Sequence, residues 1–144
     1  MTFHLAADTG FLIHRASRLL QVELQKVLEP YDLTREQWPV LAMLWDEEGV
    51  SQNKIGGYLC KDQPTVTRII DRLEKKRLVK RVTNTRDRRA YRIVLTEEGR
   101  ELKEVLPKLV DDLLQRAQAG LTEEQVAALR QDLLTIAGNL EGDG

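Results

Sequence analysis

The chain has 144 residues, 42% apolar and 31% charged, which suits one compact globular domain and excludes a disordered tract. No apolar run approaches the roughly 18 residues of a membrane span, and "MTFHLAADTG" lacks the basic start and apolar core of a signal peptide, so a cytoplasmic protein with no membrane partner is expected. One cysteine, Cys60, excludes an intramolecular disulfide, and the two histidines give no metal-ligand cluster, so neither metal nor cofactor is expected. Net charge is −1, but residues 61–92 hold 12 Lys+Arg against 4 Asp+Glu, a local +8, and the remaining residues sum to −9. Local sign governs how a protein steers a charged partner, so this segment points to a polyanion.

Leu12, Ala16, Leu19, Leu20, Leu24, Val27 and Leu28 recur at helical spacing and predict a helix over 9–29, which Pro30 stops. "LTREQWPVLAMLW" predicts a second helix. Thr34 and Gln37 are spaced as its capping box, and Pro39 in its second turn weakens or kinks its start. "DEEGV" reads as a loop. Ser51 caps a short helix over about 51–59, and Asp62 caps another over about 63–76, with Pro64 in a first turn where a missing N–H costs nothing. "LVKRV" and "YRIVL" read as strands around the turn "TNTRDRR", with Tyr91, Ile93 and Leu95 on one face. Thr96 opens a long helix to about residue 119, favoured by Glu97 and Glu98 in its first turn and bent by Pro107. Gly120 ends it. Thr122 and Gln125 form a second capping box, and the helix to about 140 carries a stripe of Val126, Leu129, Leu133, Ile136 and Leu140.

No repeat, low-complexity tract or linker divides the chain. The fold expected is mainly α with a small β-hairpin: a helix-turn-helix over 51–76 followed at once by a wing. In "QPTVTRIIDRLEKK", Val66, Ile69, Ile70 and Leu73 share one face and must be buried. Pro64, Arg68, Asp71, Arg72 and Lys75 then point outward, flanked by Thr65 and Thr67. A DNA-reading helix needs this arrangement, with short polar groups near its start reaching base edges and basic groups reaching phosphates. Gln63, Pro64, Thr65, Thr67, Arg68, Arg72 and Lys75 are therefore the candidate contacts. An ordinary solvated face would explain the helix alone; the basic hairpin attached to it favours the nucleic-acid reading.

In the hairpin, narrow minor grooves attract arginine. A nearby carboxylate lowers the cost of ordering a guanidinium by pairing with it. Arg89 is accordingly assigned to the groove, Asp87 to holding it, and Arg86 and Arg88 to phosphates. Asp87 can also close the turn. Enzymes are disfavoured because there is no Gly-rich phosphate loop or nucleophile–base pattern, and His4 and His14 have no evident partner. A winged-helix protein–protein module is the alternative from another class, and the local +8 weighs against it.

"DQPTVTRIIDRLEKKRLVKRVTNTRDRRAYRIVLTEEG", with "YDLTREQWPVLAMLWDEEGVSQNKIGGYL" before it, resembles the reading helix and wing of the multiple-antibiotic-resistance regulator (MarR) family. The resemblance spans nearly the whole chain and implies a dimeric, sequence-specific regulator of double-stranded DNA, a repressor. Residues 33–96 would form the winged helix-turn-helix and 9–29 and 97–140 the dimerisation helices. Two reading helices per dimer imply a pseudo-palindromic operator. The family's Asp-x-Arg wing tip maps onto Asp87 and Arg89. "TNT" replaces its usual approach to the wing. Arg77 stands where the family usually has glycine, which implies a different closure of the reading helix. Release by a small anionic aromatic ligand is also implied, with His14, Arg15, Arg18 and Trp38 as candidate contacts. Cys60 reads as a small buried hydrophobe, with oxidant sensing as its alternative role.

Overall fold

The structure, a computed structural model, describes residues 2–84 and 87–141, with the side chains of 2–83 and 91–141. It divides into two compact units, Met1–Val110 and Asp111–Gly144.

In the first unit most helices start on a side-chain acceptor. Helix α1 (Thr9–Leu28) begins where Asp8 accepts from the Phe11 N–H at 2.8 Å. It passes into a 3-10 turn, Glu29–Tyr31, that contains Pro30, and Asp32 (φ 54) then reverses the chain. The Thr34–Gln37 capping box forms reciprocally, both bonds at 3.2 Å. It closes a turn rather than a helix, and α2 (Trp38–Asp46) starts only afterwards. Pro39 therefore lies in the first turn, not the second, where its missing N–H costs no helical bond.

The "DEEGV" segment is not loop throughout. Val50 and Ser51 form a short strand, β1, paired antiparallel with Ile93 and Arg92. Ser51 then caps α3 (Gln52–Leu59), accepting from the Lys54 N–H at 3.1 Å. Asp62 caps α4 (Gln63–Lys75), accepting from the Thr65 N–H at 2.8 Å. Those bonds to Thr65, with the charges of Arg68 and Lys61 beside it, hold the Asp62 carboxyl below its ordinary range.

Arg77 does not force a new closure on α4. It takes the left-handed conformation itself, at φ 62. The Leu78 N–H reaches the Leu73 carbonyl at 3.0 Å and the Arg77 N–H reaches that of Glu74 at 2.9 Å, the two bonds of a Schellman cap. Strands β2 (Val79–Asn84) and β3 (Asp87–Leu95) run further toward the tip than the sequence reading gave them, with Asn84 paired to Asp87. The sheet order is β1-β3-β2. Ile93 and Leu95 are buried, while Tyr91 on the same strand face is 47% exposed because the hairpin has left the core.

The long helix expected from 96 to 119 is instead interrupted. Helix α5 (Glu97–Glu101) gives way to a 3-10 turn at Leu102–Glu104 before α6 (Leu106–Ala117) begins. Pro107 can neither donate to the carbonyl four residues back nor pack its ring against it, so the ladder fails upstream of the proline. The core of this unit joins Leu28, Leu41, Leu44, Ile55, Ile70, Leu73, Ile93 and Leu106. Two features of α5 lock it in place. Trp45 Nε1 donates to the Gly99 carbonyl at 2.9 Å, and Thr96 Oγ1 donates to the Arg77 carbonyl at 2.6 Å.

The second unit holds the end of α6, a turn through Gly120 (φ 93), and α7 (Glu123–Glu141). Thr122 and Gln125 exchange both capping-box bonds, at 2.9 and 3.1 Å. No residue of α7 is buried, and Leu129, Leu133, Leu134, Ile136 and Leu140 are exposed. Among the described residues no helix is long and apolar enough to cross a membrane.

Candidate nucleic-acid interface

Helix α4 divides its surface as its sequence demands. Val66, Ile69, Ile70 and Leu73 are all at most 2% exposed. Pro64, Arg68, Asp71, Arg72 and Lys75 are exposed, and Gln63, Thr65 and Thr67 are half-buried along the flanks. The preceding helix approaches very closely. A Cβ on Gly56 would lie 2.5 Å from Gln63 Nε2 and 3.0 Å from the Lys61 carbonyl oxygen, so a side chain there would have to turn Gln63 aside and press on the chain entering α4. Asp62 caps the first turn of α4 twice, its side chain accepting from the Thr65 N–H at 2.8 Å and its carbonyl from the Val66 N–H at 3.0 Å, while Pro64 has no N–H to satisfy.

Not every cation of the basic segment is available to a partner. Arg81 on β2 is 16% exposed, with Nη1 at 2.7 Å from Asp71 and 3.0 Å from Glu74. Its Nη2 also donates to the Thr67 carbonyl at 3.3 Å. Arg81 is opposite Ile93 in the sheet. It shares a strand face with buried Val79, where an unpaired charge would be costly, and the two acids of α4 supply its partners. The hairpin base is thereby clamped to α4. Lys76 is also committed: Nζ donates to buried Gln37 at 3.0 Å and to the Asp32 carbonyl. Arg92 donates to the Gly49 carbonyl at 2.7 Å. Arg68, Arg72 and Lys75 remain on the outer face.

Two residues of this surface escaped the sequence reading. Gln52, in the first turn of α3, donates through Nε2 to Thr67 Oγ1 at 2.5 Å. Arg81 could have been flagged from its alternation with Val79, which puts a charge on the inward face of a strand. Nothing local marks Gln52, because its partner is 15 residues away. The assignments of Arg86, Asp87, Arg88 and Arg89 concern side chains that lie outside the described ones.

The candidate ligand contacts are not gathered at one point. His14, Arg15 and Arg18 are exposed along α1. Trp38 is half-buried, its ring centroid 5.8 Å from that of Trp45. It lines an open cavity of about 410 Å³ between α2 and α3, together with Met43, Asp46, Lys54 and Tyr58, and the three α1 residues are not part of that lining. Lys54 is paired with Glu47 at 3.1 Å on its rim. Cys60 is exposed rather than buried. It occupies the left-handed position (φ 55) that ends α3, which turns it away from the core.

A capped helix pair, a polar and basic outer face on the second helix, and a hairpin clamped to that helix together define a winged helix-turn-helix of the nucleic-acid-binding class. Comparison with known proteins specifies it. Residues 33–91 match the MarR family. The chain is 33% identical over 138 residues to the HTH-type transcriptional regulator TtmR of Methylorubrum extorquens (strain PA1), covering 91% of this chain and 70% of that one. Its fold is similar to that of CouR from Rhodococcus jostii RHA1, solved bound to p-coumaroyl-CoA, with TM-score 0.86, 29% identity, and 94% and 96% of the two chains covered. It is also similar to MepR of S. aureus, solved as a DNA complex, with TM-score 0.83, 28% identity, and 92% and 98% covered. The chain belongs to the MarR family and is a DNA-binding transcriptional regulator, not an enzyme.

Proposed function

We propose that the protein is a homodimeric repressor that reads a pseudo-palindromic duplex and is released by a small ligand. In this reading α4 enters the major groove. Gln63, Pro64, Thr65 and Thr67 lie toward base edges, and Arg68, Arg72 and Lys75 toward phosphates. Arg89 enters the minor groove supported by Asp87, and Arg86 and Arg88 contact phosphates. The observation that carries the reading is the division of α4, fully buried on one face and exposed, short, polar and then basic on the other.

The dimer is supported by apolar faces that each unit leaves uncovered, with Leu12, Leu19 and Val22 exposed on α1 and Leu133, Leu134 and Leu140 on α7. MepR is a precedent for DNA binding and CouR for a small-molecule ligand on the same fold. The cavity beside Trp38 supplies aromatic surface for an effector, and His14, Arg15 and Arg18 supply cationic groups for an anionic one.

Selection of bound duplexes from a random pool tests the reading. The expected motif has two inverted half-sites about one helical turn apart, roughly 34 Å. Binding should weaken steeply with salt, and Arg89→Ala should lose roughly 1–3 kcal/mol of operator affinity with the dimer intact. Recovery of no duplex with salt-dependent affinity would instead support the protein–protein module.

A further inference from the structure

We infer that Gln52 and Thr67 act as one reading unit, in which the Gln52 amide sets the Thr67 hydroxyl as a hydrogen-bond donor to a base edge. The inference rests on α4 lying in the major groove, as proposed above.

A threonine inside a helix ordinarily turns its hydroxyl back onto the carbonyl four residues earlier, as Thr135 does on α7, donating to Gln131 at 3.0 Å. The Thr67 oxygen instead accepts from Gln52 Nε2 at 2.5 Å. A hydroxyl has one proton and two lone pairs. An amide donor occupying one lone pair leaves the proton to point elsewhere, and Thr67 is on the flank between the buried stripe and the exposed outer face of α4. The Thr67 residue is held from the other side as well, because its carbonyl accepts from Arg81, itself fixed by Asp71 and Glu74. Thr67 is thus the point where α3, α4 and the hairpin base meet through hydrogen bonds. A β-branched side chain has few χ1 choices in a helix, so one added bond suffices to select one.

The chemical consequence is a preference. A hydroxyl that presents its proton suits the acceptors of the major groove, which are purine N7, guanine O6 and thymine O4. It is mismatched to cytosine, whose major-groove group is the N4 amino donor. One position in each half-site should therefore be depleted in cytosine.

The test compares duplexes selected by the parent, Thr67→Val, Gln52→Leu, Gln52→Glu and the Thr67→Val/Gln52→Leu double variant, each checked for unchanged unfolding temperature and oligomeric state. Thr67→Val and Gln52→Leu should each weaken operator binding by about 5- to 50-fold and relax the same base position, and the double variant should be little worse than either alone, because both remove one unit. Gln52→Glu cannot donate, so the Thr67 proton should turn to the new carboxylate and the Thr67 oxygen become an acceptor. Cytosine should then be tolerated at that position in a competition between duplexes, a change of preference that loss of packing would not produce. Multiplying losses in the double variant, or an unchanged base preference in Gln52→Glu, would overturn the inference while leaving α4 as the reading helix. Thr67→Val binding as tightly as the parent would overturn both the unit and the assignment of Thr67 to the groove.

Discussion

Two residues at the α4–β2 junction show how closely this fold trades backbone conformation against side chain. Arg77 holds φ 62 at a helix end, a conformation that costs a non-glycine residue roughly 1–2 kcal/mol. Arg77→Gly should relieve that strain, less the entropy glycine adds to the unfolded chain, for a net gain of about 0.5–1 kcal/mol, seen as a melting temperature raised by a few degrees. No gain would mean that the arginine side chain offsets its own strain. Gly99 is the converse case. A Cβ there would sit 2.2 Å from the Leu78 carbonyl oxygen and 3.2 Å from Leu95 Cδ2. Gly99→Ala must therefore displace the turn that closes α4, and a loss of about 1–3 kcal/mol by denaturant unfolding is expected. Both residues stand in stretches that resemble the family, but they were not equally legible. The contact at Gly99 depends on Leu78, 21 residues away, whereas the left-handed position of Arg77 was legible as the family's glycine position and only its unchanged cap, closed on Leu73 and Glu74, was not.

At the scale of elements, the capping signals were the most legible part of the sequence. Ser51, Asp62, Thr96 and the two Thr/Gln boxes act within three residues of themselves, so spacing alone reveals them. What the sequence hid was any element whose existence needs a distant partner. Strand β1 has two residues and exists only because β3 pairs with it. The interruption of the 97–117 segment was half visible, since Pro107 announces a disturbance but not that it spreads back to Leu102. A bridge between elements also gives a pH-dependent expectation. Glu48 receives Arg100 in two bonds of 3.0 Å and the Leu95 N–H at 2.9 Å, tying the β1 approach to α5 and to the end of β3. The Arg100 hydrogen bonds, then the Leu95 N–H, hold its carboxyl below the ordinary 4.5. A carboxyl lowered in the folded state contributes stability that is present above its ordinary value and fades as pH falls through its lowered one. Stability of the parent should therefore fall faster than that of Glu48→Gln as pH drops from about 5 toward 3, and parallel curves from thermal unfolding at stepped pH would remove Glu48 from the acid response.

For the whole molecule, the sequence announced the basic segment and the apolar end helices, and it could not show what the latter cover. In α7 every apolar side chain of the stripe read from sequence is at least partly exposed, and Leu129, Leu133, Ile136 and Leu140 are 38–78% exposed. A second copy of the chain is the proposed cover, and function should then depend on it through geometry rather than through contacts to DNA. A dimer binds its second half-site at the high local concentration set by the first, an advantage of about 10²–10⁴ over a lone domain. Leu133→Glu, with Leu140→Glu added if one charge is insufficient, places carboxylates in that face and replaces no residue of the core cluster. Sedimentation should then report a mass near one chain, 16.5 kDa. Affinity for the full operator should fall by at least about 100-fold, and affinity for a single half-site should stay within about two-fold. A monomeric variant that still held the full operator as tightly as the parent would show that α4 and the wing read DNA without the second copy, and the end helices would then need another role.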